Sequence, residues 1–278
     1  SLNLQKLKAG SCVFINGKPC FFGDPLRDIS LLFPTLFSVV GTLRDKINIA
    51  KLNFRLQKKT IDEIFEEQEI TTKEYLTSLG FSKTVIKNFF LPFFSGVFLE
   101  NELNTSSRMF EFVFKMFGEG LAFLPKNGIE EISKQLKNKL QNTEFHYNSE
   151  VSEVNHKKIT FSDGKKMNTN YTIIATEPSS LIKGLKNQKV DWKPCQNLYF
   201  ICSKRIYQKP FIGLISNPEC LINNIFYPTS IQTNKKGKDE LISVTVVKNH
   251  NLSEKELIKK VKIELKKECK IEDISFLK

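Results

Sequence analysis

Ten of the chain's 24 phenylalanines fall between Phe81 and Phe117, and they recur at helical rather than strand spacing. A helix opened by Ser82 carries Phe89, Phe90, Phe93, Phe94 and Phe98, with Pro92 and Gly96 interrupting it. A second follows Ser106-Ser107 and carries Met109, Phe110, Phe112, Val113, Phe114, Met116 and Phe117. So much aromatic bulk on helices has to be covered, which calls for a helical layer with a large core or an aromatic cavity. For any single ring, a core position is the better reading.

The helical pattern begins earlier, at Leu26, Ile29, Leu32, Leu36 and Val39/Val40, with Pro34 as a kink, and lasts to about residue 118. Thr71-Thr72-Lys73-Glu74 offers a capping box and Gly80 a helix stop. Strand-like runs flank this region. Residues 11–22 form two apolar runs around Asn16-Gly17, the strongest short signal for a hairpin. After a helix from Gly128 to about Gln141, short strands are expected at Glu144–Tyr147, Val151–Asn155, Lys158–Phe161 and Tyr171–Ala175, with a turn at Asp163-Gly164. Further strands are expected at Leu198–Cys202, Phe211–Ile215, Leu221–Phe226, Leu241–Val247 and Ile271–Leu277. Ser253-x-x-Glu256 opens a helix ahead of the last of them. Asn234–Lys238 reads as a Lys-rich loop tip.

The 278 residues suffice for one large domain or two ordinary ones. The net charge of +12 invites a nucleic-acid reading. That reading is weak, because only five of the 42 basic residues are Arg, and Arg is the better bidentate reader of phosphate and guanine. The aromatic and basic residues also lie in different segments, so no specific nucleic-acid contact is expected. Six cysteines show no C-x-x-C spacing, and there are three histidines, so no metal site is expected. The thiols read as free in a reducing cytoplasm, with a bridge between Cys12 and Cys20 left open across their hairpin. No apolar run reaches the roughly 18–20 residues of a spanning helix. The Lys-rich helices over 134–139 and 255–267 read as solvated faces, with peripheral attachment to anionic lipid as the alternative.

No G-x-G-x-x-G, G-x-x-x-x-G-K, G-x-S-x-G or H-E-x-x-H occurs, so the residues announce no chemical engine of their own. That favours a binding module, or an enzyme whose chemistry sits on a cofactor. The local wording is more telling. Phe90-Leu91-Pro92-Phe93-Phe94-Ser95-Gly96, Leu124-Pro125-Lys126-Asn127-Gly128-Ile129, Val151-Ser152-Glu153-Val154 and Ile173-Ile174-Ala175-Thr176-Glu177-Pro178 follow one another in order. In that order and spacing the chain resembles the flavin-containing amine oxidoreductase superfamily, which includes protoporphyrinogen oxidases, phytoene desaturases and amine oxidases. The resemblance runs from about residue 4 to 276.

The resemblance implies an α+β fold. A mixed, largely antiparallel sheet from 11–22 and 198–247 is backed by the helices of 26–118 as a substrate domain, and a small β layer at 144–176 belongs to the FAD domain. It divides the chain into 1–120 (hairpin and Phe-rich helices), 121–185 (a partial FAD-binding segment) and 186–278 (sheet and C-terminal helix). It implies FAD as cofactor, with Val151, Ala175 and Thr176 beside it. Phe93, Phe94, Phe98, Phe112 and Met116 would line a cavity for an apolar or aromatic substrate. Arg108 could pair with a substrate carboxylate, as against a structural salt bridge to Glu100 or Glu102. No catalytic side chain is assigned, because the flavin takes the hydride. The family's N-terminal glycine-rich turn and its C-terminal flavin-closing segment have no counterpart here, so the chain reads as an internal piece of a longer enzyme. A non-catalytic lipid- or nucleic-acid-binding module is the rival. On the family reading the isolated chain should purify colourless and show no turnover, and a yellow preparation with stoichiometric FAD would overturn the fragment reading.

Overall fold

The computed structural model describes residues 2–25, 27–185, 192–231 and 237–278. Leu26 and most of the Asn234–Lys238 loop tip lie outside them. Contacts divide the chain into two units, Ser1–Gln135 with Lys193–Lys278, and Leu136–Trp192.

In the first unit, β1 (Leu4–Lys6) precedes the hairpin of β2 (Gly10–Ile15) and β3 (Lys18–Gly23). Asn16 and Gly17 join them at φ 50° and 75°, the left-handed pair that a type I′ turn requires. Cys12 pairs with Phe21 and Val13 with Cys20, so the two cysteines point to opposite faces. The bridge left open from sequence is therefore excluded, and all six cysteines are free thiols.

The helical stretch then unfolds in pieces. The spacing of Ile29, Leu32 and Leu36 yields only a 3₁₀ turn, Ile29–Leu31, and one short helix, α1 (Leu32–Leu36). Next come α2 (Leu43–Lys58), α3 (Ile61–Glu66) and α4 (Thr72–Ser78). Thr42, Thr60 and Thr71 each cap their helix by accepting the N–H of Asp45, Glu63 or Glu74, whose carboxylate returns the bond. Asp45 does more. Its buried carboxylate also accepts the N–H (2.8 Å) and hydroxyl (2.6 Å) of Ser82, the cap of α5 (Lys83–Val85). One side chain thus ties the start of α2 to the start of the Phe-rich helix.

That helix is not broken at Pro92. It widens through a π-helical turn, Ile86–Phe90, and runs on as α6 (Leu91–Phe98). The wider turn absorbs the missing N–H and the ring clash of the proline. Leu99 closes it in the left-handed region, at φ 53°. With α7 (Ser107–Glu119), α6 forms a ring cluster in which Phe94 and Phe110 lie 4.7 Å apart and Phe81 and Phe90 5.0 Å. Leu52, Leu56, Leu76, Val85 and Leu103 complete this core.

After β4 (Phe123–Pro125), which pairs with β1, α8 (Glu130–Lys139) leads into the second unit. That unit holds the antiparallel ladder β5 (Val151–Asn155), β6 (Lys158–Phe161) and β7 (Lys166–Asn168). Gly164, at φ 84°, lies in the turn between the last two. The strands expected at 144–147 and 171–175 do not form. Phe145 and Tyr147 instead stack beside one another with the Lys137 ammonium over both rings. Tyr171 and Ile173 are each 94% exposed, and among the described residues no strand pairs with their segment.

The first unit resumes with β8 (Gln196–Cys202), β9 (Ile212–Ile215), β10 (Ile222–Phe226), β11 (Glu240–Val246), α9 (Glu254–Cys269) and β12 (Ile274–Phe276). They complete a seven-stranded sheet of order β12-β8-β11-β10-β9-β2-β3, parallel only where β2 meets β9. Leu257, Val261 and Leu265 of α9 pack into one core with Phe14, Phe200, Ile225 and Val244 of the sheet. Most lysines of α9 lie on its solvated side, as its periodicity requires. At β2 and β9 the opposite face, with Val13 and Leu214, is covered by Phe89 and Phe93.

Burial alone would push the Asp45 carboxyl up, but the hydroxyl and N–H donors of Ser82 and Thr42 outweigh it and hold it below its ordinary 3.8. A folded-state value below the unfolded one stabilises above the unfolded value and is lost as pH falls through the folded one. Asp45→Asn should therefore lower stability by about 2–4 kcal/mol at neutral pH, measured by urea denaturation. The gap to the natural chain should narrow as pH drops below 3.8.

Candidate functional site

The sheet face opposite α9 is open where α6 stops. Along β8, Leu198, Phe200 and Cys202 are buried towards α9, while Asn197, Tyr199 and Ile201 alternate to the other side. Along β11, Ile242, Val244 and Val246 are buried and Leu241, Ser243 and Thr245 are half-buried. Register places Thr245 between Asn224 and Asn197, and Ser243 between Phe226 and Tyr199. The result is a floor of aromatic, aliphatic, hydroxyl and amide groups with no carboxylate, amine or imidazole among them.

The polar groups of this floor are already organised. The Asn197 amide oxygen accepts the hydroxyls of Ser243 (3.2 Å) and Thr245 (3.1 Å), and its nitrogen donates to the Tyr199 hydroxyl (3.1 Å). Beside it, the Asn224 amide donates to Asn223 (2.8 Å), and Asn223 donates to the Pro92 carbonyl of α6 (3.0 Å). Gly96 makes this approach feasible, since a methyl group there would sit 2.8 Å from the Asn223 amide oxygen. Such a surface can orient a neutral polar group and cover apolar surface. It holds no group suited to moving a proton near neutral pH.

The residues expected from sequence are distributed differently. Phe94 is a core residue, stacked between Phe90 and Phe98. Phe93 is half-buried against Phe89 (5.6 Å) and Phe117 (5.4 Å), and Phe98 is half-buried against Phe94. Phe112 meets Phe65 of α3 (5.9 Å), and the Met116 carbonyl caps Gly120 (2.8 Å). Arg108 donates to the Phe65 carbonyl (2.7 Å) and pairs with Glu69. Neither Glu100 nor Glu102 is its partner. Glu100 instead accepts the N–H of Glu102 and of Thr105. Phe93, Phe94 and Phe98 thus share one cluster, whereas Phe112 and Arg108 face α3. The floor residues Asn197, Tyr199, Ser243 and Thr245 were read only as strand. Their alternation was legible, but which face stays open depends on where α6 and α9 pack.

In the second unit, Val151 begins β5, whose one strand neighbour among the described residues is β6, while the Val154 N–H donates to the Leu181 carbonyl (2.8 Å). Ala175 and Thr176 are exposed in an extended run whose backbone joins no ladder. Backbone N–H and C=O groups outside a ladder are of a kind that can meet the edge of a purine ring such as the adenine of FAD. They offer no glycine-rich turn for its pyrophosphate. Among the described residues no group of three His, Cys, Asp or Glu could hold a metal ion, and no helix is long and apolar enough to cross a membrane.

The family model of flavin-containing amine oxidoreductases matches residues 12–274. Comparison with curated proteins finds no match. Among solved structures, an oxidoreductase from Methanosarcina mazei is similar over the whole chain and 69% of its own, with 15% identity and a TM-score of 0.72. A putrescine oxidase variant is similar over 99% of this chain and 68% of its own, with 10% identity and a TM-score of 0.63. Reduced UDP-galactopyranose mutase is similar over 99% and 65%, with 13% identity and a TM-score of 0.61. At these identities the likeness is one of fold.

Proposed function

The chain belongs to the flavin-containing amine oxidoreductase family, and from that premise we propose that it forms the substrate-binding middle portion of an FAD-dependent oxidoreductase. Its substrate is largely apolar and loses hydride to the flavin. The observation that carries this reading is the uncharged floor of β8, β10 and β11, in which Asn197 holds Ser243 and Thr245. When bound, FAD would supply the hydride acceptor. The chain's own part is to seat the substrate, orient its polar group and keep water away.

Within this reading, Val151, Ala175 and Thr176 would meet the adenine through backbone groups, and the half-buried rings of Phe93 and Phe98 would border the substrate. Engagement of Arg108 by Glu69 supports a neutral substrate over a carboxylate. The test is the visible spectrum of the protein translated from the complete gene. Flavin bands that bleach anaerobically with an apolar amine, polyene or porphyrinogen are expected. Ser243→Val with Thr245→Val should raise KM roughly fivefold to tenfold while leaving the spectrum unchanged. A spectrum that stays flat after FAD is added would sink the reading and leave a non-catalytic module.

A second reading concerns a lipid surface as partner. Ile29 (75% exposed), Phe33, Phe37 (76%), Val39 and Leu43 form a run of exposed apolar side chains around α1. Arg44 and Lys51, both exposed, follow on α2. Apolar anchors beside free cations suit peripheral contact with an anionic bilayer. Co-flotation with phosphatidylserine vesicles, weakened by Phe33→Ser with Phe37→Ser and absent with neutral vesicles, is expected. Equal flotation of natural and variant chains would dismiss it.

A further inference from the structure

A small cleft of about 70 Å³ lies where α6 meets the loop between β9 and β10; Asn223 is in its lining, but Asn197, Tyr199, Ser243 and Thr245 are not. That volume is too small for the substrate of an oxidoreductase and sufficient for a compact ion or a few waters. Its lining includes Lys87, Ser95, Asn101 and Lys248.

The hydrogen bonding of these groups is unbalanced. Ser95 is only 2% exposed, lines the cleft, and its hydroxyl has no hydrogen-bond partner among the described residues. Its oxygen is not wholly enclosed, so it is reached from the cleft and open to a ligand there. Lys248 is held in place by the carbonyls of Pro218 and Cys220 (2.6 Å for the latter), which leaves one ammonium proton unspent. Neither Lys248 nor Lys87 forms an ion pair with a described carboxylate, and the Asn101 amide is likewise unspent.

The two acidic groups nearby are committed elsewhere. Glu264 accepts the N–H of Leu221 (2.9 Å) and Ile222 (3.1 Å), and Glu268 accepts the Asn217 amide (2.8 Å). The Ser216 hydroxyl is spent on the Phe14 carbonyl (2.7 Å). What remains facing the cleft is a surplus of donors, two of them cationic, around a space the size of one small anion.

From this juxtaposition we infer that the cleft is a binding site for a compact oxyanion of the phosphate or carboxylate class. Lys248 and Ser95 form its fixed wall, and Lys87 closes over it from the helix. Charge-assisted hydrogen bonds from the two ammonium groups supply most of the affinity, and the Ser95 hydroxyl gains the partner it lacks.

The experiment is isothermal titration of the chain, at constant ionic strength, with inorganic phosphate, glycerol phosphate and acetate as separate probes. Saturable one-site binding of at least one of them is expected. Preference for inorganic phosphate would mark a free ion, and preference for glycerol phosphate the esterified end of a larger molecule. Binding of acetate alone would mark a carboxylate. Ser95→Ala and Lys248→Gln should each weaken binding about tenfold or more. Lys248 also braces the Pro218–Cys220 loop, so Lys87→Gln, which disturbs no recorded hydrogen bond, serves as the variant that leaves the fold untouched. It too should weaken binding severalfold. No saturable binding of any probe, or affinities unchanged in both Ser95→Ala and Lys87→Gln, would overturn the inference.

Discussion

The seating of α6 on β10 is the contact from which the rest of the first unit follows. Helix and strand approach closely because Gly96 carries no side chain, and Asn223 reaches across to the Pro92 carbonyl. That carbonyl keeps a partner from outside its own helix, beside a residue that disturbs the helical ladder. Once α6 is fixed there, Phe89 and Phe93 cover the β2 and β9 end of the sheet, and the same face of β8 and β11 is left half-buried among the described residues. One face of one sheet is thereby divided into a structural half and a half available for binding. α9 packs on the reverse face, together with Leu31, Tyr207 and Phe211.

Local signals were legible in the sequence where they concern a few adjacent residues. Asn16-Gly17 and Asp163-Gly164 form the turns their types demand, and the Thr71/Glu74 and Ser253/Glu256 boxes cap real helices. Further boxes form at Thr60/Glu63 and, with the shorter Asp in place of Glu, at Thr42/Asp45. Signals failed where the outcome depends on distant residues. The alternation of Tyr171–Ala175 is that of a strand, but a strand exists only when another pairs with it. Arg108 found Glu69 rather than Glu100, because the packing of α7 on α3 decides its reach and spacing along the chain does not. The family resemblance was carried by ordered short motifs, whereas the floor around Asn197 emerges only from strand register.

Several of the cations are structural in their use. Lys46 donates to the carbonyls of Leu36 (2.7 Å) and Ser38 (2.9 Å), closing the loop after α1. Lys115, almost fully buried, donates to the Leu56 carbonyl (2.9 Å) at the end of α2. Glu111, also buried, collects Arg55 (2.9 Å) and Lys59 (3.0 Å), with the Tyr75 hydroxyl beside them. Removing Glu111 would strip Arg55 of its carboxylate and leave Lys59 with Glu67 alone. Amines on long stems thus serve as carbonyl caps and helix ties, which a count of net charge does not reveal.

The true margins of the large sheet are guarded against unwanted pairing. β3 carries Lys18 and Pro19, and β12 is three residues long. The extended run at 171–175 has no such guard: Tyr-Thr-Ile-Ile-Ala holds no proline and no charge, and its backbone lies open. An unguarded extended run of this kind is open to pairing with any other strand edge, a second copy of the chain included.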